Sequence, residues 1–151
     1  MGTFTVPAGK TFYLNAAGNF VKFMVPGVGI VSHPTTPNMP VFPENTNIID
    51  CMCTGLLVEY EDQVVPTIVN LTETSDEFTV PTNKIFYVKS GLSNDLPGSI
   101  EVDGDDMEFF RPNFTRGSRI ISFPMGTTLK RPTNAPTGPF VLTGFLIDAD
   151  L

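Results

Sequence analysis

Apolar and polar residues alternate over short spans along this chain, and Pro, Gly or Asn cuts each span before a helical period can develop. Phe4-Thr5-Val6 alternates as a half-buried strand does, Pro7-Ala8-Gly9-Lys10 supplies a tight turn, and Phe12-Tyr13-Leu14 resumes the extended pattern. Pro presets φ at the first corner of such a turn, and Gly tolerates positive φ at the next. Wherever an i, i+3, i+4 apolar template begins to fit it is interrupted, as at Pro26-Gly27-Val28-Gly29. Short strands with closely spaced turn signals predict an all-β chain of β-sandwiches with jelly-roll-like connections.

The pattern also repeats. "FTVPAGKTFYL" at 4–14 returns as "FTVPTNKIFYV" at 78–88, with seven of eleven letters identical and an offset of 74 residues. In the second copy Thr82-Asn83 stands for Ala8-Gly9. Asn is the other residue that readily enters the left-handed region, so the turn chemistry survives the change of letters. Phe42-Pro43-Glu44-Asn45-Thr46 aligns with Phe123-Pro124-Met125-Gly126-Thr127 at an offset of 81, and Thr54–Glu59 aligns with Thr143–Asp148 at 89. Growing offsets mean about seven and then eight extra residues in the second copy, placed between anchors as surface loops permit. The organisation read from this is two tandem domains. A first sandwich covers 1–62, a linker or docking strand 63–73, and a second sandwich with enlarged loops 74–151. Pro66 suits Val64–Val69 to a sheet edge. Units this small bury a marginal share of their surface, so the two are expected to pack on each other or on a neighbouring chain.

Composition narrows the function. With 151 residues, 41% apolar and 17% charged, the chain can form a packed core. A net charge of −7 with nine Lys and Arg argues against binding nucleic acid or an anionic membrane surface. Met1-Gly2-Thr3-Phe4 enters the strand pattern with no basic or apolar leader segment, which predicts synthesis in a cytoplasm. Cys51 and Cys53 are read as residues i and i+2 of a strand, too close for an unstrained mutual disulfide, and are expected as buried thiols filling core space.

No reactive constellation emerges. His33, the single histidine, lies in the Pro-rich "VSHPTTPNMP" and is expected to be exposed or packed in a loop. No nucleophile elbow or phosphate-binding glycine loop is present. The acidic "EVDGDDMEFF" includes Asp103 and Asp105, which could offer hard oxygen ligands to Ca²⁺, but an Asp-Gly hairpin accounts for the same residues. No catalytic residue, metal site or cofactor is expected, and the chain is not read as an enzyme. Asn70-Leu71-Thr72 and Asn113-Phe114-Thr115 match the glycosylation sequon but carry no weight without a secretory signal. Arg111, Arg116 and Arg119 form a basic cluster after the acidic turn, near Phe109, Phe110 and Phe114. Adjacent patches of opposite sign can set the register of a protein contact. These six residues are the candidate interface.

"FTVPAGKTFYL", the "FP-x-G-T" turn and the closing "TGFLID" resemble the small jelly-roll modules of accessory virion proteins of tailed bacteriophages. Such modules include capsid decoration (auxiliary) proteins, head fibres and tail modules. The likeness covers both copies. Glu44-Asn45 departs from the Gly of "FP-x-G-T", so that turn is expected to differ in geometry. The resemblance implies a non-enzymatic structural protein located in the virion. Its partners would be other virion proteins, the major capsid protein first, in an oligomeric or shell-bound state, with no nucleic acid and no membrane. The rival is a carbohydrate- or receptor-binding module like those of tail fibres. The absence of Trp and the presence of only three Tyr count against it, because sugar sites favour exposed aromatic platforms.

Overall fold

A computed structural model describes residues 2–35, 39–59, 63–93, 98–110, 121–133 and 138–150; the side chains of Ala16, Pro34, Leu92, Ser93, Gly98, Ser99 and Met107–Phe110 fall outside that description. Every regular element among the described residues is a strand, as the short alternating spans predict. The order is β1 (Thr3–Thr5), β2 (Lys10–Ala16), β3 (Phe20–Val25), β4 (Gly29–Pro34), β5 (Val41–Phe42), β6 (Asn47–Ile49), β7 (Thr54–Glu59) and β8 (Val64–Asn70). It continues with β9 (Glu77–Thr79), β10 (Lys84–Ser93), β11 (Gly98–Val102), β12 (Asp105–Phe110), β13 (Ile121–Phe123), β14 (Thr128–Lys130) and β15 (Phe140–Asp148).

These strands form four antiparallel sheets, ordered β1-β6-β3-β4, β5-β2-β7, β12-β11-β14-β9 and β13-β10-β15-β8. Replacing β1 to β7 by β9 to β15 turns the first pair of orders into the second, apart from the added β8. The registers follow the same rule. Phe4 faces Ile48 as Phe78 faces Leu129, and Lys10 faces Glu59 as Lys84 faces Asp148. Both facing charges close into ion pairs, Lys10–Glu59 at 2.6 Å and Lys84–Asp148. A β-bulge interrupts β2 between Leu14 and Ala16 and β10 between Val88 and Ser90. Phe4 meets Phe12 edge to face at 5.4 Å, and Phe78 meets Phe86 in the same way at 5.2 Å.

The turns agree residue for residue. Gly9 (φ 71°) and Asn83 (φ 61°) occupy one left-handed position, and Asn45 (φ 63°) and Gly126 (φ 82°) another. The expected difference at Glu44-Asn45 is therefore not found. Thr46 N–H donates to Pro43 C=O at 3.4 Å and Thr127 N–H to Pro124 C=O at 3.2 Å. Asn45 N–H reaches Val6 C=O at 2.8 Å as Gly126 N–H reaches Val80 C=O at 2.9 Å. Asn tolerates αL well enough to replace Gly there without changing the turn. Asp103 (φ 50°) and Gly104 (φ 93°) close the β11–β12 hairpin, both at positive φ as a two-residue type I′ connection requires.

Alternation sorts the side chains into two cores. Val21, Phe23 and Val25 on β3 point inward to Phe12, Phe42 and Ile48, while Phe86, Ile100, Leu129 and Leu142 centre the second cluster. The halves touch through β15 and β8. Phe140 and Leu142 face the second core, whereas Val141, from the opposite face of β15, and Ile68 pack against the first. Tyr13 stacks on Phe145 at 5.9 Å, and Val41 N–H donates to Thr143 Oγ1 at 3.4 Å.

Two expectations are corrected. His33 is neither exposed nor in a loop: it lies on β4 opposite Val21, is 2% exposed, and packs beside Phe23. β4 runs on to Pro34, and its alternation places Val31 and His33 on the inward face. The cysteines are not free thiols. Cys51 and Cys53 sit in the loop between β6 and β7, where Asp50 turns the chain at φ 48°, and they form a disulfide with Cα atoms 5.2 Å apart. The strand geometry assumed for them does not apply. Both remain partly buried against the first core. The cysteines accordingly lend no support to a reducing compartment.

Candidate functional site

Of the six residues singled out for contact, the structure describes the backbone of two. Phe109 and Phe110 belong to β12, the outermost strand of the β12-β11-β14-β9 sheet. Their side chains, and Arg111, Phe114, Arg116 and Arg119 altogether, lie outside the described residues. Of the acidic turn, Asp103 is bound into the fold, since its Oδ1 accepts from Thr128 N–H at 2.7 Å. Among the described residues no group of three His, Cys, Asp or Glu is placed to hold a metal ion. Asn70 of the first sequon is half-buried on β8 and accepts from Thr72 N–H at 3.0 Å.

The chain after β14 begins by turning inward. Arg131 is only 7% exposed, and its guanidinium donates to Thr72 C=O and, at 2.8 Å, to Gly138 C=O. It ties the segment after β14 to the one after β8, beside the bond from Phe140 N–H to Thr72 Oγ1 at 3.1 Å. A buried Arg satisfying backbone carbonyls is a structural clasp. Nothing in "LKRPTN" distinguishes it from a surface arginine.

Among the described residues, exposed apolar side chains cluster on the first half. Phe20 (61%), Met24 (39%) and Ile30 (58%) stand on the outer face of the β3–β4 hairpin, with Met24 directly opposite Ile30. Lys22 lies between Phe20 and Met24 on that face. A second strip follows β7, where Leu56, Leu57 and Val58 are consecutive and each more than 40% exposed. Met52, at the apex of the disulfide loop just before β7, is 82% exposed. The signal was present in the sequence: "GLLV" does not alternate, so apolar residues must occupy both faces of this strand. At its far end Lys10 hydrogen-bonds and attracts Glu59, which holds that carboxyl below the usual carboxylate range.

In the second half the matching place is different. Glu44 Oε2 accepts from Gly9 N–H at 2.5 Å, whereas Met125 stands at the position of Glu44 and is 54% exposed. A surface concavity of about 560 Å³ lined by Thr79–Thr82, Met125 and Gly126 marks the place. It gathers no titratable side chain.

The disulfide closes a loop of three residues. In the chain-entropy description a closure this short stabilises by about 1.6 kcal/mol at most. Unreduced protein should show no reactive thiol, and Cys51→Ser/Cys53→Ser should lower unfolding stability by no more than that amount. Two titratable thiols in the folded, air-exposed protein would rule the bridge out.

No family model, no curated protein and no solved structure matches this chain. Among the described residues no helix is long and apolar enough to cross a membrane.

Proposed function

We propose that this chain is a non-enzymatic structural protein of a virus particle, a capsid auxiliary or decoration protein that binds the shell of a tailed bacteriophage. In this reading an ancestral jelly-roll-like β-sandwich was duplicated into tandem domains. The observation that carries the reading is the strand order that repeats from β1–β7 to β9–β15, with the same turns, bulge and ion pair at matching positions. A repeated all-β module with apolar side chains left on its surface suits a building element that meets several neighbours. The acidic balance suits contact with a basic face of the shell protein.

The reading is tested by asking where the protein goes. It should co-sediment with a large particle, at a fixed ratio to the major shell protein, and dissociate as a discrete species. Replacing Phe109, Phe110 and Phe114 with Ala should lower incorporation at least tenfold while the circular dichroism of the purified chain is unchanged. If the protein stays at the top of the gradient under every condition, the virion role is wrong. If the triple variant is incorporated normally, the contact lies on another surface.

A further inference from the structure

The two halves build the same pair of turns with one difference in chemistry. In the first half a carboxylate joins the turn at 7–10 to the turn at 43–46, Glu44 Oε2 accepting from Gly9 N–H at 2.5 Å. The second half keeps the backbone frame. Asn83 holds the left-handed place of Gly9 and Gly126 that of Asn45, and Gly126 N–H still reaches Val80 C=O at 2.9 Å. It does not keep the carboxylate, because Met125 stands where Glu44 stands. Thr82 stands where Ala8 stands, so a hydroxyl enters as the carboxylate leaves. Among the described residues no acceptor is placed against Asn83 N–H or the Thr82 hydroxyl. Thr82 and Met125 both line the concavity of about 560 Å³, with Thr79, Val80, Pro81 and Gly126.

We infer that this concavity receives an acidic side chain of another polypeptide, whose carboxylate accepts from Asn83 N–H as Glu44 accepts from Gly9 N–H. The first half shows that a turn of this geometry takes a carboxylate, and that it takes one on the stem of a glutamate. A hydrogen bond to an ionised acceptor is about twice as strong as one between neutral groups. The Thr82 hydroxyl offers a second donor to the same group. Met125, 54% exposed, and Pro81 offer apolar surface to the stem. A lone carboxylate fills little of a space this large, so the occupant is a chain bringing an acidic turn and not a small free acid.

The net charge of −7 does not bar such an occupant, because that charge does not gather here. None of the lining residues is acidic. The acids on the adjoining strands are matched by cations, Asp148 by Lys84 and Glu77 by Lys130 at 2.7 Å. Exposed charges farther away than about 8 Å are largely screened at physiological salt. One charge-assisted bond with a modest apolar contact gives weak, millimolar binding of a short peptide. The inference does not rest on the virion reading, since it concerns the purified chain.

NMR titration of the isotope-labelled full chain with the peptide Phe-Pro-Glu-Asn-Thr, the first half's own acidic turn, tests it. The Asn83 amide proton should move downfield saturably in the millimolar range, while the Gly9 amide, already bonded to Glu44, stays in place. The same peptide with Gln for Glu should bind at least tenfold more weakly, and so should propionate, which brings the carboxylate without the chain. Met125→Glu supplies the carboxylate from within: it should shift the Asn83 amide before any peptide is added and abolish the response to it. Thr82→Ala should weaken the peptide about threefold, as loss of one hydrogen bond does. An Asn83 amide that ignores the peptide overturns the inference. So does an equal response to the Gln peptide, which would mean that the charge is not read. Propionate binding as tightly as the peptide overturns it too, since the site would then serve a free acid.

Discussion

Gly144→Ala should destabilise the protein by about 3 kcal/mol, and Gly55→Ala, its counterpart, by clearly less. Gly144 lies on β15 opposite Val88, immediately beside the bulge that carries Lys89. A methyl group there would overlap the Tyr87 carbonyl oxygen and stand 3.1 Å from Val88 Cα. Those neighbours are backbone of β10, which is held between β13 and β15 and has no room to retreat. The residue is not at positive φ, so the cost is one of space and not of conformation. Gly55 presses in the same way on Tyr13 C=O and on the Phe12 ring. Its own strand, however, is the edge strand β7, which can swing outward, and the Phe12 ring can turn. Denaturant unfolding followed by circular dichroism separates the two, because 3 kcal/mol is a large part of the roughly 5–15 kcal/mol that a domain possesses. A Gly144→Ala protein within 0.5 kcal/mol of the parent would mean that β15 and β10 do not approach as closely as described.

This pair also shows what the sequence made legible. Turns and strand spans are written locally: Pro-Ala-Gly-Lys and Pro-Thr-Asn-Lys each announce a left-handed third position, and the structure places Gly9 and Asn83 there. All-β character follows from the short alternating spans. Partner choice among strands was not legible, because it depends on contacts distant in sequence. Nothing in "VVPTIVN" says that β8 joins β15 and leaves the edge of β7 open, since both strands offer apolar residues to receive it. The Pro that follows His33 suggests the start of a loop, yet Ile30-Val31-Ser32-His33 continues the strand alternation and carries the histidine inward. Cys51 and Cys53 show the opposite case: their spacing fits a strand, but they sit in a loop whose turn rests on Asp50, a residue without the usual Gly signal. Arg131 was invisible, since a buried cation is revealed only by the carbonyls that converge on it. The exposed apolar strip of β7 is legible in the sequence only as the break in alternation at "GLLV".

The two cores should unfold together, and truncating either should shift the whole transition. Phe23 is fully buried in the first, edge to face with Phe42 at 4.9 Å, and Phe86 is fully buried in the second beside Phe78. Phe→Ala at a site like these removes the transfer energy of the ring and leaves a cavity, at a cost of about 3–5 kcal/mol. Each half alone is of a size that buries a marginal share of its surface. The first core, moreover, is completed by Val141 and Ile68 from the other half of the chain, and the Val41–Thr143 bond and the Tyr13–Phe145 stack run between the same parts. Loss of either core therefore removes packing that the other depends on. Phe23→Ala and Phe86→Ala should each lower the single denaturation midpoint, with far- and near-ultraviolet signals still coincident. Tyrosine supplies part of the near-ultraviolet signal in a chain without Trp, with Tyr13 in the first half and Tyr87 in the second. The two substitutions should add within about 0.5 kcal/mol, because the rings belong to separate clusters. A transition that splits in two, with Phe23→Ala moving one phase and Phe86→Ala the other, would show that the contacts through β15 and β8 are too weak to couple the cores.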